Sequence, residues 1–298
     1  MKNTYIIYVN YNIKFKKLMK TITRIFYYLY RIFNTIRFLG FQNTLKIFFI
    51  SKLKSSIMYL TLFRNKFYFR PKIDIGSYNR LTKSQYMIRG TVKQPIEVVI
   101  DAGSNIGSQA IRFINLNPKI KKMICVEPDT SSSELCYKNL KNYDAKIYNN
   151  ALSGNSNNDL IVQKTINSEM SEIIEKKDNI IKSNNFHEIK TISINEIVKI
   201  ENLKKIDFIK FDINGYEDDV FSKNLEWLKI TNCIGFNNAD INNTTNKIIK
   251  AFSSTVGNVK VYNIDQMIFL IRENFHWLPV KGFMSSRNIG YLEKDERY

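Results

Sequence analysis

The sequence predicts an α/β fold built on a mostly parallel sheet, and three observations predict it. From Ile96 onward, short β-branched runs alternate with helical stretches, the order that places helices against a parallel sheet. The first of those runs, Ile96-Glu-Val-Val-Ile-Asp101, is an apolar strand that enters a glycine-bearing turn followed by an amphipathic stretch. Glycine and proline number only 11 and 5 among 298 residues, and 44% of residues are hydrophobic. That composition excludes collagen-like and linker-like chains and leaves material for a real core.

Taken in order, residues 1–56 read as a basic, amphipathic helical extension. Phe15, Leu18, Met19, Ile22, Ile25, Phe26, Leu29, Ile32, Phe33 and Ile36 recur at helical spacing, with Lys17, Lys20, Arg24 and Arg31 on the opposite side. The net charge of +18 is concentrated here: residues 1–73 contain fifteen Lys and Arg and no acid, while the rest of the chain carries only +3. Such a helix suits an anionic membrane surface, each basic residue near it adding about 1 kcal/mol. The competing reading is a helix packed on the main domain or on a second copy. The longest uncharged run of this region, Asn3 to Ile13, is well short of the ~18 residues of a spanning helix. No secretory signal is expected, and a cytoplasmic location, peripheral at the membrane, follows as the expectation.

Residues 57–95 read as a hairpin and lead-in. Ile57, Tyr59, Thr61 and Phe63, then Phe67 and Phe69, alternate around a turn expected at Arg64-Asn65-Lys66. Residues 96–298 hold the main domain, with strands expected at Glu97–Asp101, Lys122–Glu127, Lys146–Ala151, Phe208–Asp212, Cys233–Phe236, Val259–Asn263 and Met267–Ile271. The polar stretch from Gly154 to Lys190 is expected to insert strands or a helix over the sheet. Cys125, Cys136 and Cys233 form no C-x-x-C pair, and only His187 and His276 accompany them. Neither a disulfide framework nor a zinc module fits that inventory.

Two motifs carry chemistry. In Ile96-Glu-Val-Val-Ile-Asp101-Ala-Gly103-Ser-Asn105-Ile-Gly107, an apolar strand ends in an acid and enters a glycine-bearing turn before the amphipathic Ser108–Leu116. The glycines let the backbone approach a ligand, and the helix opens with unpaired amides. A dinucleotide turn would read G-x-G-x-x-G. Here D-x-G-x-x-x-G suits a ligand bearing an amine and no phosphate, such as S-adenosylmethionine. One crossover later, Met123-Ile-Cys-Val-Glu127-Pro128-Asp129 places a carboxylate twenty residues beyond Gly107, where an acid reaches a ribose diol.

With these motifs in order, the chain resembles the FkbM family of class I, Rossmann-like S-adenosylmethionine-dependent methyltransferases over roughly Phe67 to Glu273. The resemblance rests on Val99-Ile-Asp-Ala-Gly-Ser-Asn-Ile-Gly107, Val126-Glu-Pro128, Asn150-Ala-Leu-Ser153, Thr191-Ile-Ser-Ile-Asn-Glu-Ile197 and, most specifically, Ile206-Asp-Phe-Ile-Lys-Phe-Asp-Ile-Asn-Gly-Tyr-Glu217. It implies a seven-stranded, mostly parallel sheet with helices on both faces. It also implies cofactor contacts from Asp101, Gly103, Ser104, Asn105 and Gly107, a ribose contact from Glu127, and an adenine environment from Asn150 and Ala151. Asp212, at the end of the fourth strand, would face the sulfonium and the acceptor as base. Glu217 is the second candidate, its alternative being a charge at a helix N-terminus. No metal is expected, and both histidines read as structural or exposed.

The implied reaction is O-methylation of a hydroxyl on a sugar, glycan or secondary metabolite. The alternatives are a nucleic-acid methyltransferase, for which the base-flipping Asn/Asp-Pro-Pro-Tyr/Phe loop is missing, and an inactive cofactor- or partner-binding homologue. Nucleic acid is not the expected partner. Two departures from the family fall on the acceptor half: Asn214 where a glutamate is usual, and Asn237-Asn-Ala-Asp240 where an acid and a histidine are usual.

Overall fold

The computed structural model describes residues 57–62, 65–71, 87–156, 159–163, 172–175, 186–213, 215–237, 244–264 and 267–280, together with positions 29, 32, 33, 36, 40–42, 44, 45, 73, 74, 77 and 81. Phe15 to Phe26 of the apolar stripe, Asn214 and residues 238–240 lie outside them.

In chain order the elements are β1 (Met58–Leu62), β2 (Asn65–Phe69), β3 (Ile88–Arg89), β4 (Val98–Ala102), α1 (Ser108–Leu116), β5 (Lys122–Val126), α2 (Thr130–Leu140), β6 (Ala145–Tyr148), β7 (Ala151–Leu152), β8 (Asp159–Gln163), β9 (Glu172–Glu175), β10 (Phe186–Ile192), α3 (Ile194–Ile200), β11 (Ile206–Phe211), α4 (Glu217–Val220), a 3-10 turn (Leu225–Ile230), β12 (Thr231–Asn237), α5 (Thr244–Val256), β13 (Val259–Ile264), β14 (Met267–Arg272) and β15 (Leu278–Pro279).

The main sheet has seven strands in the order β13-β14-β12-β11-β4-β5-β6. Strands β6, β5, β4, β11 and β12 run parallel, and β14 is antiparallel to both β12 and β13. The fold is therefore the class I, Rossmann-like α/β architecture. β4 and β11 form its centre, and every residue of β11 is buried. Alternation divides the core in two. Val99, Met123, Cys125, Phe208, Cys233 and Phe269 fill one face; Ile100, Ala102, Ile124, Ile209, Phe211, Ile234 and Leu270 fill the other. Helix boundaries follow local chemistry: Asp129 caps α2 by accepting from the Ser132 amide at 2.8 Å, and Ser193 caps α3 through Glu196.

Three sequence expectations change in detail. The hairpin turn is tighter than the polar triplet implied, because the register pairs Leu62 with Asn65 and Thr61 with Lys66, so both polar residues already belong to β2. The strand expected at Lys146–Ala151 divides: β6 ends at Tyr148, Asn149 and Asn150 turn the chain, and Ala151 joins a second sheet. In that second sheet, β7-β10-β8-β9, the strands β8, β9 and β10 come from the polar stretch after Gly154, whereas β7 precedes it. A short β3–β15 ladder had no signal of its own, each strand being two residues long. The hairpin is tied to the main domain: Asn139 on α2 accepts from the Tyr68 amide at 2.6 Å and donates back to the Tyr68 carbonyl, and Arg70 reaches Asp74, Ser131 and Ser132.

Candidate functional site

The carboxyl edge of the central strands gathers the acidic residues. As β4 ends, the backbone turns through positive φ at Gly103 (74°), Asn105 (49°) and Gly107 (80°). Gly103 cannot be replaced without movement, since a Cβ there would stand 2.0 Å from the Asp212 carbonyl oxygen. The turn after β4 and the end of β11 are thus pressed together. The Gly103 and Ser104 amides donate to the Val126 carbonyl, and the Asp212 amide to that of Ala102. The Ser104 hydroxyl lies 3.7 Å from the Cys136 thiol. A Cβ on Gly107 would press on the same sulfur at 3.1 Å.

Glu127 follows β5 and is buried against this turn. One carboxylate oxygen accepts from the Asn105 amide at 2.8 Å, the other from the Asp129 amide at 2.9 Å. Burial pushes its carboxyl up to about 7, the two amides pulling the other way. The strained conformation of Asn105 is secured by its side-chain oxygen, which accepts from the Ile106 amide and the Ser77 hydroxyl.

The residue that sequence reasoning missed is Lys210. It is the direct neighbour of Asp101 across β4 and β11, and its side chain is 1% exposed. Its ammonium donates to Asp101 Oδ1 and to the Gly103 carbonyl, both at 2.7 Å, and stands 3.9 Å from Asp212 Oδ2. A lone cation within the apolar run Ile206–Phe211, facing a strand that ends in an acid, is the signal that points to it, because a buried ammonium needs a paired charge.

The structure brings together Asp101, Gly103, Ser104, Asn105, Gly107, Glu127 and Asp212. Asn150 and Ala151 stand apart from that hydrogen-bonded group: the Asn150 amide donates to the Lys190 carbonyl and Ala151 pairs with Thr191 in the second sheet. Asn149, not singled out in the sequence, ties the strand ends together by donating to the carbonyls of Glu127 and Pro128. Glu217 opens the single turn of α4, its carboxylate accepting from the Ile213 amide at 3.3 Å. Burial first, and the nearby Asp212 charge after it, push its carboxyl upward. Asp218 is held by Thr244 and Lys247, and Asp219 by Ser153 and the Gly154 amide. Each acid of the run thus has its own partners; among the described residues no cluster suited to a metal ion occurs. His276 is exposed on the surface and His187 lies in β10.

Residues 101–254, just over half of the chain, match the methyltransferase FkbM domain. The chain belongs to the FkbM methyltransferase family. Among solved structures, this FkbM chain is similar to an FkbM methyltransferase from Methylobacillus flagellatus KT, at 12% identity and a TM-score of 0.42, over 58% of this chain and 43% of that one. It is also similar to the StiE O-MT at 14% identity and a TM-score of 0.32 (56% and 47%). A methyltransferase from Pyrococcus furiosus gives 14% and 0.34 (62% and 76%). The chain spans less than half the length of the first two. No curated protein matches it.

The FkbM family and its fold imply S-adenosylmethionine, and the donor set fits that group. Each Glu127 oxygen takes one amide in the bonds above and has a further lone pair for a ribose hydroxyl. α1 opens without a side-chain cap at Gly107. One turn beyond Asn105, Gln109 is 2% exposed, and neither of its amide atoms has a hydrogen-bond partner among the described residues, a polar group of the kind a ligand satisfies.

Proposed function

We propose that this FkbM protein transfers a methyl group from S-adenosylmethionine to a hydroxyl of a sugar or glycan. The observation that carries the reading is the Lys210-centred join: one ammonium ties the acid and glycine turn of the cofactor half, Asp101 and Gly103, to Asp212 on the acceptor half. Bound S-adenosylmethionine supplies an activated methyl on a sulfonium cation, and the surrounding carboxylates suit that positive charge.

Asp101 and the turn through Gly107 would hold the amino acid end of the cofactor, Glu127 its ribose hydroxyls, and Asn150 with Ala151 the side toward adenine. The acceptor hydroxyl would lie beside Asp212, which takes its proton as the bond to carbon forms. Since displacement is in line, most of the acceleration comes from holding donor and acceptor in register. The tight approach of Gly103 to Asp212 supports such a fixed geometry. Glu217 would hold the loop after β11 by its bond to the Ile213 amide and stand in reserve as proton acceptor.

A second reading rests on Asn214 and Asn237, which stand where the family usually has acids. An amide accepts no proton at neutral pH, so an acceptor half altered in substrate, or without turnover, fits them.

The deciding experiment is titration calorimetry with S-adenosylhomocysteine on wild type, Asp101→Ala and Glu127→Ala, followed by methyl transfer from labelled S-adenosylmethionine to a panel of glycans. Micromolar binding weakened by both substitutions, with transfer abolished by Asp212→Asn, supports the proposal. Binding without transfer to any hydroxylated acceptor favours the second reading, and absence of binding by folded protein rejects both.

A further inference from the structure

Of the apolar stripe of the amino-terminal segment, Leu29, Ile32 and Phe33 lie exposed and Ile36 is half-buried. Leu29, Ile32, Phe33 and Ile36 are helical; Leu29 is 56% exposed and Phe33 61%, with Ile32 also in solvent. The Gly40 amide donates to the Ile36 carbonyl at 2.8 Å, and the Gly40 carbonyl accepts from Thr44 at 3.1 Å. With a φ of 80°, Gly40 joins one helical stretch to the next. Beyond it Phe41 and Leu45, one turn apart, are exposed as well. Five large apolar side chains thus face outward in a segment whose every charge is positive: fifteen Lys and Arg and no acid over residues 1–73.

The possible occupants of this face differ in what they supply. The main domain does not cover it, as the exposures of these five side chains show. A second copy would bring fifteen further cations against the first fifteen, with no acid between them. Nucleic acid offers negative charge but no apolar phase for Leu29, Ile32 and Leu45. An anionic bilayer offers both: counter-charge for the cations and hydrocarbon for the stripe. Among the described residues no helix is long and apolar enough to cross a membrane.

We propose that Leu29, Ile32, Phe33, Phe41 and Leu45 dock this chain on an anionic lipid surface, lying in the interface plane. The docking is independent of the methyl-transfer reading.

The test is sedimentation of the full chain with vesicles of phosphatidylglycerol and phosphatidylcholine, or of phosphatidylcholine alone, at low and high salt. The comparison is the charge-neutral double variant Phe33→Ser with Phe41→Ser, and far-UV circular dichroism and thermal unfolding matching wild type establish its fold. The proposal expects pelleting with anionic vesicles, weakened by salt, and an affinity at least about tenfold lower for the double variant. It is overturned by the absence of lipid-dependent pelleting, by equal pelleting on neutral vesicles, by pelleting untouched by the double substitution, or by a self-associated species in analytical ultracentrifugation that the same substitutions dissolve. Displacement of bound vesicles by single-stranded oligonucleotide, with oligonucleotide affinity unchanged in the double variant, overturns it in favour of nucleic acid.

Discussion

At Glu127 the carboxyl is desolvated yet held by two backbone amides, and burial prevails, raising it to about 7. Under the proposed ribose contact, a diol donating to the ionised form would draw it back toward its ordinary range, so binding near neutrality is expected to release a proton. S-adenosylhomocysteine is therefore expected to bind up to about tenfold more weakly for each pH unit below 7, and Glu127→Gln to lose that dependence; calorimetry at pH 6, 7 and 8 checks it. Gln109 carries the opposite kind of strain, a buried amide without partners in this state. Gln109→Leu is expected to stabilise the free protein by about 1 kcal/mol while weakening the ligand about fivefold. A purely structural glutamine would not separate the two effects in urea unfolding and titration. Lys210→Met leaves the Asp101 carboxylate buried without its cation, and a loss of about 3 to 5 kcal/mol in urea unfolding is expected. Asp101, Glu127 and Asp212 were legible in the sequence because each stands at the end of a strand. Lys210 was less so, since a lysine inside an apolar run looks like a snorkelling side chain until its cross-strand neighbour is known to be Asp101.

At the scale of elements, the turn after β4 and the end of β11 behave as one unit. Gly103 combines a φ of 74° with no room for a methyl group, whereas Gly215 has a φ of 92° and open space around its α-carbon. Gly103→Ala is expected to cost more than about 3 kcal/mol and to abolish ligand binding, because the backbone carbonyl it meets cannot yield as a side chain does. Gly215→Ala is expected to cost only about 1 kcal/mol; thermal unfolding of the pair separates conformation from collision. The parallel core strands and α1 were readable because their apolar periods are unambiguous and Gly107 marks where the helix begins. The second sheet was not: its strands β8, β9 and β10 mix Asp, Gln, Glu and Lys with isoleucine, and a polar run with no clear period fits strand and helix alike. The break between β6 and β7 was hidden for a related reason, since Asn149 and Asn150 acquire their purpose from long-range partners, the carbonyls of Glu127, Pro128 and Lys190.

The whole molecule joins a strongly basic stretch, residues 1–73, to a nearly neutral one that carries only +3. Glu127 has a folded pKa of about 7, above the ordinary carboxylate value near 4.5, so the folded state disfavours its charge. Its contribution to stability is complete below about pH 4.5 and is lost as pH rises through 7, a change on the order of 3 kcal/mol. The upward shift of Glu217 acts in the same direction. Under the proposed ribose contact, ligand is expected to reverse this trend, because it would bind the ionised form. With S-adenosylhomocysteine held at a concentration 100 times its dissociation constant at pH 8, mass action stabilises the fold by about 2.7 kcal/mol. The same concentration at pH 6 is only about ten times the weakened constant and yields about 1.4 kcal/mol. The thermal shift on adding ligand is therefore expected to be about twice as large at pH 8 as at pH 6, although the free protein melts at the lower temperature at pH 8. Calorimetric scans at the two pH values check both signs at once. Equal shifts at both would mean that Glu127 does not change its protonation on binding, and would remove it from the ribose contact.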